Sequence, residues 1–101
     1  MRMWKVDVKK MCRKHLLGEH VELHMFVGTI LKGISLKGYV EKGLIETSYI
    51  FRRHQEIVAE MRRRGMNHKS PLPEFEIDKM GEIDVEENER ELHRRCVECM
   101  F

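Results

Sequence analysis

Between Cys12 and Lys32, apolar or histidine residues recur at Leu16, His20, Leu23, Val27, Ile30 and Leu31. That spacing brings side chains to one side of a helix, whereas a strand would need strict alternation, which no segment of the chain shows convincingly. This run is helix one, and Gly33, Gly38 and Gly43 punctuate the connector after it. Helix two is expected to open near Thr47 or Ser48, either of which can cap it, and carries Ile50, His54, Ile57, Val58 and Met61 on one face. Its stop signal is Arg62, Arg63 and Arg64, which complement the negative end of the helix dipole, followed by Gly65. Pro71 and Pro73 exclude helix from the loop beyond. Helix three opens at Asp84 with Glu87 three residues on, and Leu92, Cys96 and Met100 come after at helical spacing. The expected architecture is all-α, a single compact irregular three-helix domain with an extended N-terminal segment. At 101 residues the chain has the size of one domain, so residues 1–101 are expected to form a single unit.

Charge is segregated along this frame. Met1 to His15 carries Arg2, Lys5, Lys9, Lys10, Arg13 and Lys14 against Asp7 alone, while Pro71 to Leu92 carries nine acids against Lys79 and Arg90. Such runs are commonly solvated faces, and a basic stretch is also what a phosphate backbone attracts. No apolar run reaches the roughly 20 residues of a membrane helix, and the N-terminus lacks the apolar core of a signal peptide. A cytoplasmic protein without a membrane partner is expected, and Cys12, Cys96 and Cys99 read as reduced thiols.

Few residues carry chemistry. Glu22 lies away from the centre of the apolar arc of helix one and is expected on an exposed face with His15 and Phe26. His20 and His24 have a spacing able to chelate a metal, but at the edges of the apolar arc they read more readily as hydrogen-bonded core histidines. The order His-Val-Glu-Leu-His is not that of zinc peptidases. Cys12 with His15 and Cys96 with Cys99 would make a four-ligand zinc set if helix three packs beside the start of helix one; buried free thiols are the alternative. The N-terminus offers a nucleophile, because an α-amine titrates at about 7.7–8.0 against about 10.4 for lysine. Arg2 is too large for efficient removal of the initiator, so Met1 is expected to carry that amine.

Three blocks, Met-Arg-Met-Trp at the start, His15-Leu-Leu-Gly-Glu-His-Val-Glu-Leu-His24, and Val58-Ala-Glu-Met-Arg-Arg-Arg-Gly-Met-Asn-His-Lys-Ser-Pro71, occur in an order that resembles the pyrimidine-dimer DNA glycosylase family of the phage endonuclease V type. The resemblance spans roughly Met1 to Leu72. It implies a small all-helical DNA repair enzyme that breaks the glycosidic bond of a damaged base and nicks the strand by β-elimination, acting as an abasic-site lyase without metal or organic cofactor. It implies that the amine of Met1 attacks the sugar C1′ to form an imine, and that Glu22 stabilises the sugar cation and assists elimination. Arg2 matches an arginine beside the nucleophile and His15 a histidine of the site. Lys14 in the basic N-terminal stretch, with Arg94 and Arg95, would then contact phosphates of lesion-containing double-stranded DNA. No obligate protein partner is inferred. Val21 and Met25 stand where the phage enzyme carries arginines, and the connector after helix one is shorter. The alternatives are a non-catalytic DNA-binding or zinc-stabilised regulatory domain of the same fold, and a helical protein-interaction domain.

Overall fold

A computed structural model describes residues 1–101, and it is all-α: helices α1 (Arg13–Leu31), α2 (Lys37–Glu41), α3 (Ile50–Arg63) and α4 (Val85–Arg95), with no strand. The three long helices are those the periodicity predicts, and α2 is a further short one inside the connector. None of the helices is long and apolar enough to cross a membrane.

α1 buries Leu16, Leu23, Phe26 and Val27. Phe26 departs from expectation: it is fully buried and meets Tyr39 edge to face with ring centroids 5.1 Å apart. The connector folds back and lays α2 over this side of α1, so the apolar stripe is wider than one face. α3 begins at Ile50, and a 3-10 turn at Thr47–Tyr49 leads into it. Thr47 does not cap it. Its hydroxyl donates to the Asp78 carbonyl at 2.8 Å and accepts from the Met80 N–H at 2.7 Å, stitching the extended segment 66–83 to the start of the helix. Gly81 permits that approach, with φ of +80° and a position where an added Cβ would lie 2.1 Å from the Ile45 carbonyl oxygen.

α3 stops as expected at Gly65, with φ of +79°. Of the arginines before it, Arg64 does more than complement the dipole: it donates to the carbonyls of Val8 and Met11 at 3.0 and 2.7 Å. α4 is capped by Asp84, whose side chain accepts from the Glu87 N–H at 3.0 Å. It ends at Arg95 rather than continuing to Met100. Cys96 is extended (φ −138°), and the chain turns back so that the Met100 N–H donates to the Lys10 carbonyl at 2.8 Å. The helical spacing of Cys96 and Met100 misleads here, because the turn buries Cys99 and leaves Met100 exposed.

The N-terminal segment, expected to be extended, bends at Lys5 (φ 56°) and makes a 3-10 turn at Val8–Lys10, and it is part of the core: Met3, Trp4, Val6 and Met11 are all buried. A buried carbonyl without a partner costs about 1–3 kcal/mol, and this segment has no neighbouring strand to satisfy its own. Side chains do so instead. Arg53 of α3 donates to the Val6 carbonyl at 2.6 Å, and Asn88 of α4 donates to the Trp4 carbonyl at 2.8 Å. The Met3 N–H donates to the Leu44 carbonyl at 2.8 Å. Arg53 is itself neutralised by a two-pronged pair with Glu19 of α1, both contacts 2.8 Å. Neither side chain touches solvent to any useful extent, at 1% and 0% exposure. These two buried charges therefore cross-link α1, α3 and the N-terminal segment.

Candidate active site

α1 presents Lys14, His15, Gly18, Glu19 and Glu22 along one side, since residues three, four, seven and eight apart share a helix face. The N-terminal segment runs beside this side and adds Arg2 and Trp4, and α4 adds Arg95; together these residues line a cleft of about 290 Å³. Larger depressions lie elsewhere, such as one of about 550 Å³ among Leu31, Phe51, Leu72, Pro73 and Phe75, but two glutamates are the only charged groups in it. In the smaller cleft Arg2, Lys14 and Arg95 supply positive charge around one carboxylate, Glu22, because Glu19 is already paired with Arg53.

Arg2 is fixed from more than one side. Its guanidinium stacks 3.9 Å from the Trp4 ring centroid and donates to the Asn88 side-chain oxygen at 2.7 Å. Burial and the neighbouring charge of Arg95 lower its pKa, against the opposing pull of Glu91 and Glu22. Trp4 in turn meets His15 edge to face at 6.1 Å. Just beyond, Lys5 adopts a left-handed backbone (φ 56°), a conformation that costs roughly 1–2 kcal/mol in a residue with a side chain. Its ammonium is held 2.9 Å from Glu46 and over the Tyr49 ring. The chain thus bends between Trp4, which lines the cleft, and Val6, which is locked to Arg53.

Of the predicted site residues, Arg2, Lys14, His15, Glu22 and Arg95 line this one cleft. Met1 is not among the residues that line it: Met1 is partly buried and packs against the core. Arg94 does not line the cleft; it is exposed and pairs with Glu91, as does Arg95. Those two arginines hold the Glu91 carboxyl down to about 2, with burial working the other way. Trp4, Gly18 and Glu19 are cleft residues that the sequence does not single out. Gly18 has a positional signal, one turn before Glu22, and its missing side chain leaves open space. Val21 and Met25, either side of Glu22, are exposed apolar residues.

Two clusters of possible metal ligands lie outside the cleft's carboxylate. Cys12, His15, Cys96 and Cys99 bring their ligand atoms within 4.8 Å of one another, and so do His20, His54 and His68. In the second, His20 and His68 share a hydrogen bond between Nε2 atoms 2.9 Å apart, and His24 bonds the Ser70 carbonyl through Nε2 at 2.9 Å. Both His20 and His24 thus make hydrogen bonds, His20 as a buried residue and His24 as a partly exposed one. Burial, reinforced by the adjoining histidines, lowers the pKa of His20 and of His54 to about 4.

A family model described as pyrimidine dimer DNA glycosylase matches residues 1–74. No curated protein and no solved structure matches the chain.

Proposed function

Because the chain belongs to the pyrimidine dimer DNA glycosylase family, we propose that it removes a damaged base from double-stranded DNA and then cleaves the strand, with residues 1–101 acting as one cytoplasmic domain. The observation that carries this reading is the cleft in which Glu22 stands among three cationic side chains, Arg2, Lys14 and Arg95, beside an N-terminal segment tied down at Met3.

In the first step the uncharged α-amine of Met1 adds to C1′ of the lesion nucleotide, and the base departs with the electrons of the glycosidic bond. The nitrogen loses a proton, the sugar ring opens at O4′, and an imine links protein and DNA. Removal of a C2′ proton then expels the 3′ phosphate with its bonding electrons. The Glu22 carboxylate stabilises the positive sugar and iminium and accepts one of these protons. Arg2, Lys14 and Arg95 bind phosphates flanking the lesion, with Arg94 further along α4, and His15 sits against the sugar edge. Reaching C1′ requires the nucleotide to leave the stack, which costs least at a damaged pair. Val21 and Met25 place apolar surface beside the carboxylate, suited to wedging against bases rather than to gripping phosphate.

Borohydride added during reaction with abasic duplex DNA should trap a covalent adduct whose peptide map ends at the N-terminal residue. Glu22→Gln should lower turnover by at least about 100-fold, the usual scale for a positioned acid–base group, while leaving DNA binding within a few fold. An untrapped wild type that still binds DNA would favour the non-catalytic reading. Unchanged trapping after chemical blocking of the α-amine would remove Met1 from the mechanism.

A further inference from the structure

Four side chains of metal-binding type meet where the chain's two ends come together. Cys12 caps α1 and His15 lies one turn into it. Cys96 and Cys99 lie in the turn after α4, which the backbone bond from Met100 to Lys10 holds against the same place. Both pairs are three residues apart, the short spacing by which one turn of chain offers two ligands to one ion.

Two of the distances match those that one bound ion would set. Zinc bonds of about 2.3 Å to sulfur and about 2.0 Å to nitrogen, at tetrahedral angles, put sulfurs about 3.8 Å apart and sulfur and nitrogen about 3.5 Å apart. Here Cys12 Sγ and Cys96 Sγ are 3.8 Å apart, and Cys99 Sγ and His15 Nδ1 are 3.6 Å apart. Cys12 Sγ and His15 Nδ1 are closer, at 3.1 Å. The sulfurs also receive backbone donors of the kind that steady a thiolate: the Cys12 N–H reaches Cys99 Sγ at 3.2 Å, and the His15 N–H reaches Cys12 Sγ at 3.4 Å.

We propose that Cys12, His15, Cys96 and Cys99 form a closed tetrahedral zinc site that fastens the C-terminal turn to the start of α1. On binding, the three thiols release their protons to solvent and coordinate as thiolates, and His15 coordinates as the neutral ring through Nδ1. The site then carries one net negative charge. Four protein ligands leave no open position, so the ion is structural and takes no part in the chemistry of the cleft. Nδ1 coordination fixes the His15 proton on Nε2, making a defined donor of the ring edge that remains. The site also sets the two rims of the cleft in register: Lys14 and His15 adjoin Cys12 on one side, and Arg95 immediately precedes Cys96 on the other. Two of the four ligands lie beyond residues 1–74, so the site joins the family-matched part of the chain to its C-terminal remainder. A disulfide would use two of the sulfurs and leave the third thiol and the imidazole without a role.

The test uses the full chain purified without a metal-affinity tag. Elemental analysis should find about one zinc per chain, released by a mercurial reagent as three thiols are titrated. Replacement by cobalt(II) should give intense near-ultraviolet thiolate-to-cobalt charge transfer with the visible bands of a tetrahedral site. Cys96→Ser with Cys99→Ser should bind no zinc. Should that variant fail to fold, the cobalt spectrum of the wild type decides alone. Absence of zinc together with absence of the charge-transfer band overturns the proposal. So does cobalt bound without that band, which assigns the ion to imidazoles such as His20, His54 and His68, and so does a mass showing a disulfide in protein kept under reducing conditions. None of these readouts involves DNA, so the zinc site and the glycosylase reading stand or fall separately.

Discussion

α1 carries two clusters of ligand-type side chains one turn apart, and they differ in what holds them together. At its start, Cys12 and His15 meet Cys96 and Cys99 at sulfur–sulfur and sulfur–nitrogen separations of 3.8 and 3.6 Å. Further along, His20 meets His68 at 2.9 Å, closer than the roughly 3.3 Å that two nitrogens of one tetrahedral zinc would keep. Each cluster has one pair drawn inside the separation that a shared ion would set, Cys12 with His15 and His20 with His68, and the first differs in having two further pairs at that separation and three sulfurs among its four ligands. Residue type makes both clusters metal candidates; three thiols with one imidazole are the donor set of a structural zinc clamp, whereas the second cluster is imidazole alone, with His20 and His54 buried.

Between the two clusters on α1 stands Glu19, and its pair with Arg53 ties the helix that carries both to α3. Removing it is the largest perturbation expected and would break the comparison outright. Glu19→Ala leaves a buried guanidinium without its carboxylate, at a cost of roughly 3–5 kcal/mol. For a domain of this size that lowers the melting temperature by more than about 12 °C. Paired substitution of Glu19 and Arg53 by Met should recover much of the loss, since the charge penalty disappears with both partners, although the Val6 carbonyl loses its donor. Thermal melts that place Glu19→Ala within about 5 °C of wild type would show that the pair does not anchor α1.

The same residues show what is legible in the sequence. The three long helices, the cap at Asp84 and the stop at Gly65 come from local periodicity and backbone preference, and these act within a few residues. The convergence of Arg2, Lys14, His15, Glu22 and Arg95 on one cleft is approachable through family resemblance rather than through spacing. Glu19 and Arg53 are opaque because a buried charge is identifiable only with its partner, here 34 positions away. His54 and His68 do not group with His20 and His24 in the sequence, since the loop that returns His68 to α1 has no periodic signal. The end of α4 misleads because Cys96 and Met100 fit a helix, while the contacts that turn the chain are to residues far away in sequence, the Lys10 carbonyl and the Cys12 N–H.

Acid should separate the clusters by a smaller margin. His20 and His54 are held to about 4 in the folded chain by burial and by the adjoining histidines, from an ordinary value of 6.5. Below about pH 6.5 the unfolded chain takes up these protons and the folded chain does not, so the stability fully present above that value is lost as the pH falls toward about 4. Each pKa unit is worth about 1.4 kcal/mol, and the two rings share one environment, so the combined loss is less than the sum of two separate shifts. Urea midpoints measured from pH 7.5 down to 5 should fall steadily, in a window where buried carboxylates such as Glu60, held near 2, contribute nothing. A flat profile would mean that the rings are solvated or already charged in the fold.

The smallest effect, and the one that sharpens the contrast most, is expected from His54→Leu. The Nε2 atom of His54 is buried without a hydrogen-bond partner, a debt of about 1–3 kcal/mol that the native fold carries. Leucine has similar bulk and no such nitrogen, but it gives up the edge-to-face contacts of the ring with His24 and His68. At pH 7.5 these terms oppose each other, and the net change should stay within about 1 kcal/mol. At pH 5 the variant should be the more stable of the two, because one of the two depressed histidines no longer titrates. Zinc content should not change, since no ligand of the thiol cluster is touched. Loss of zinc on this substitution, with the fold intact by circular dichroism, would mean that the ion belongs to the imidazoles and that the donor-set argument separating the two clusters is wrong.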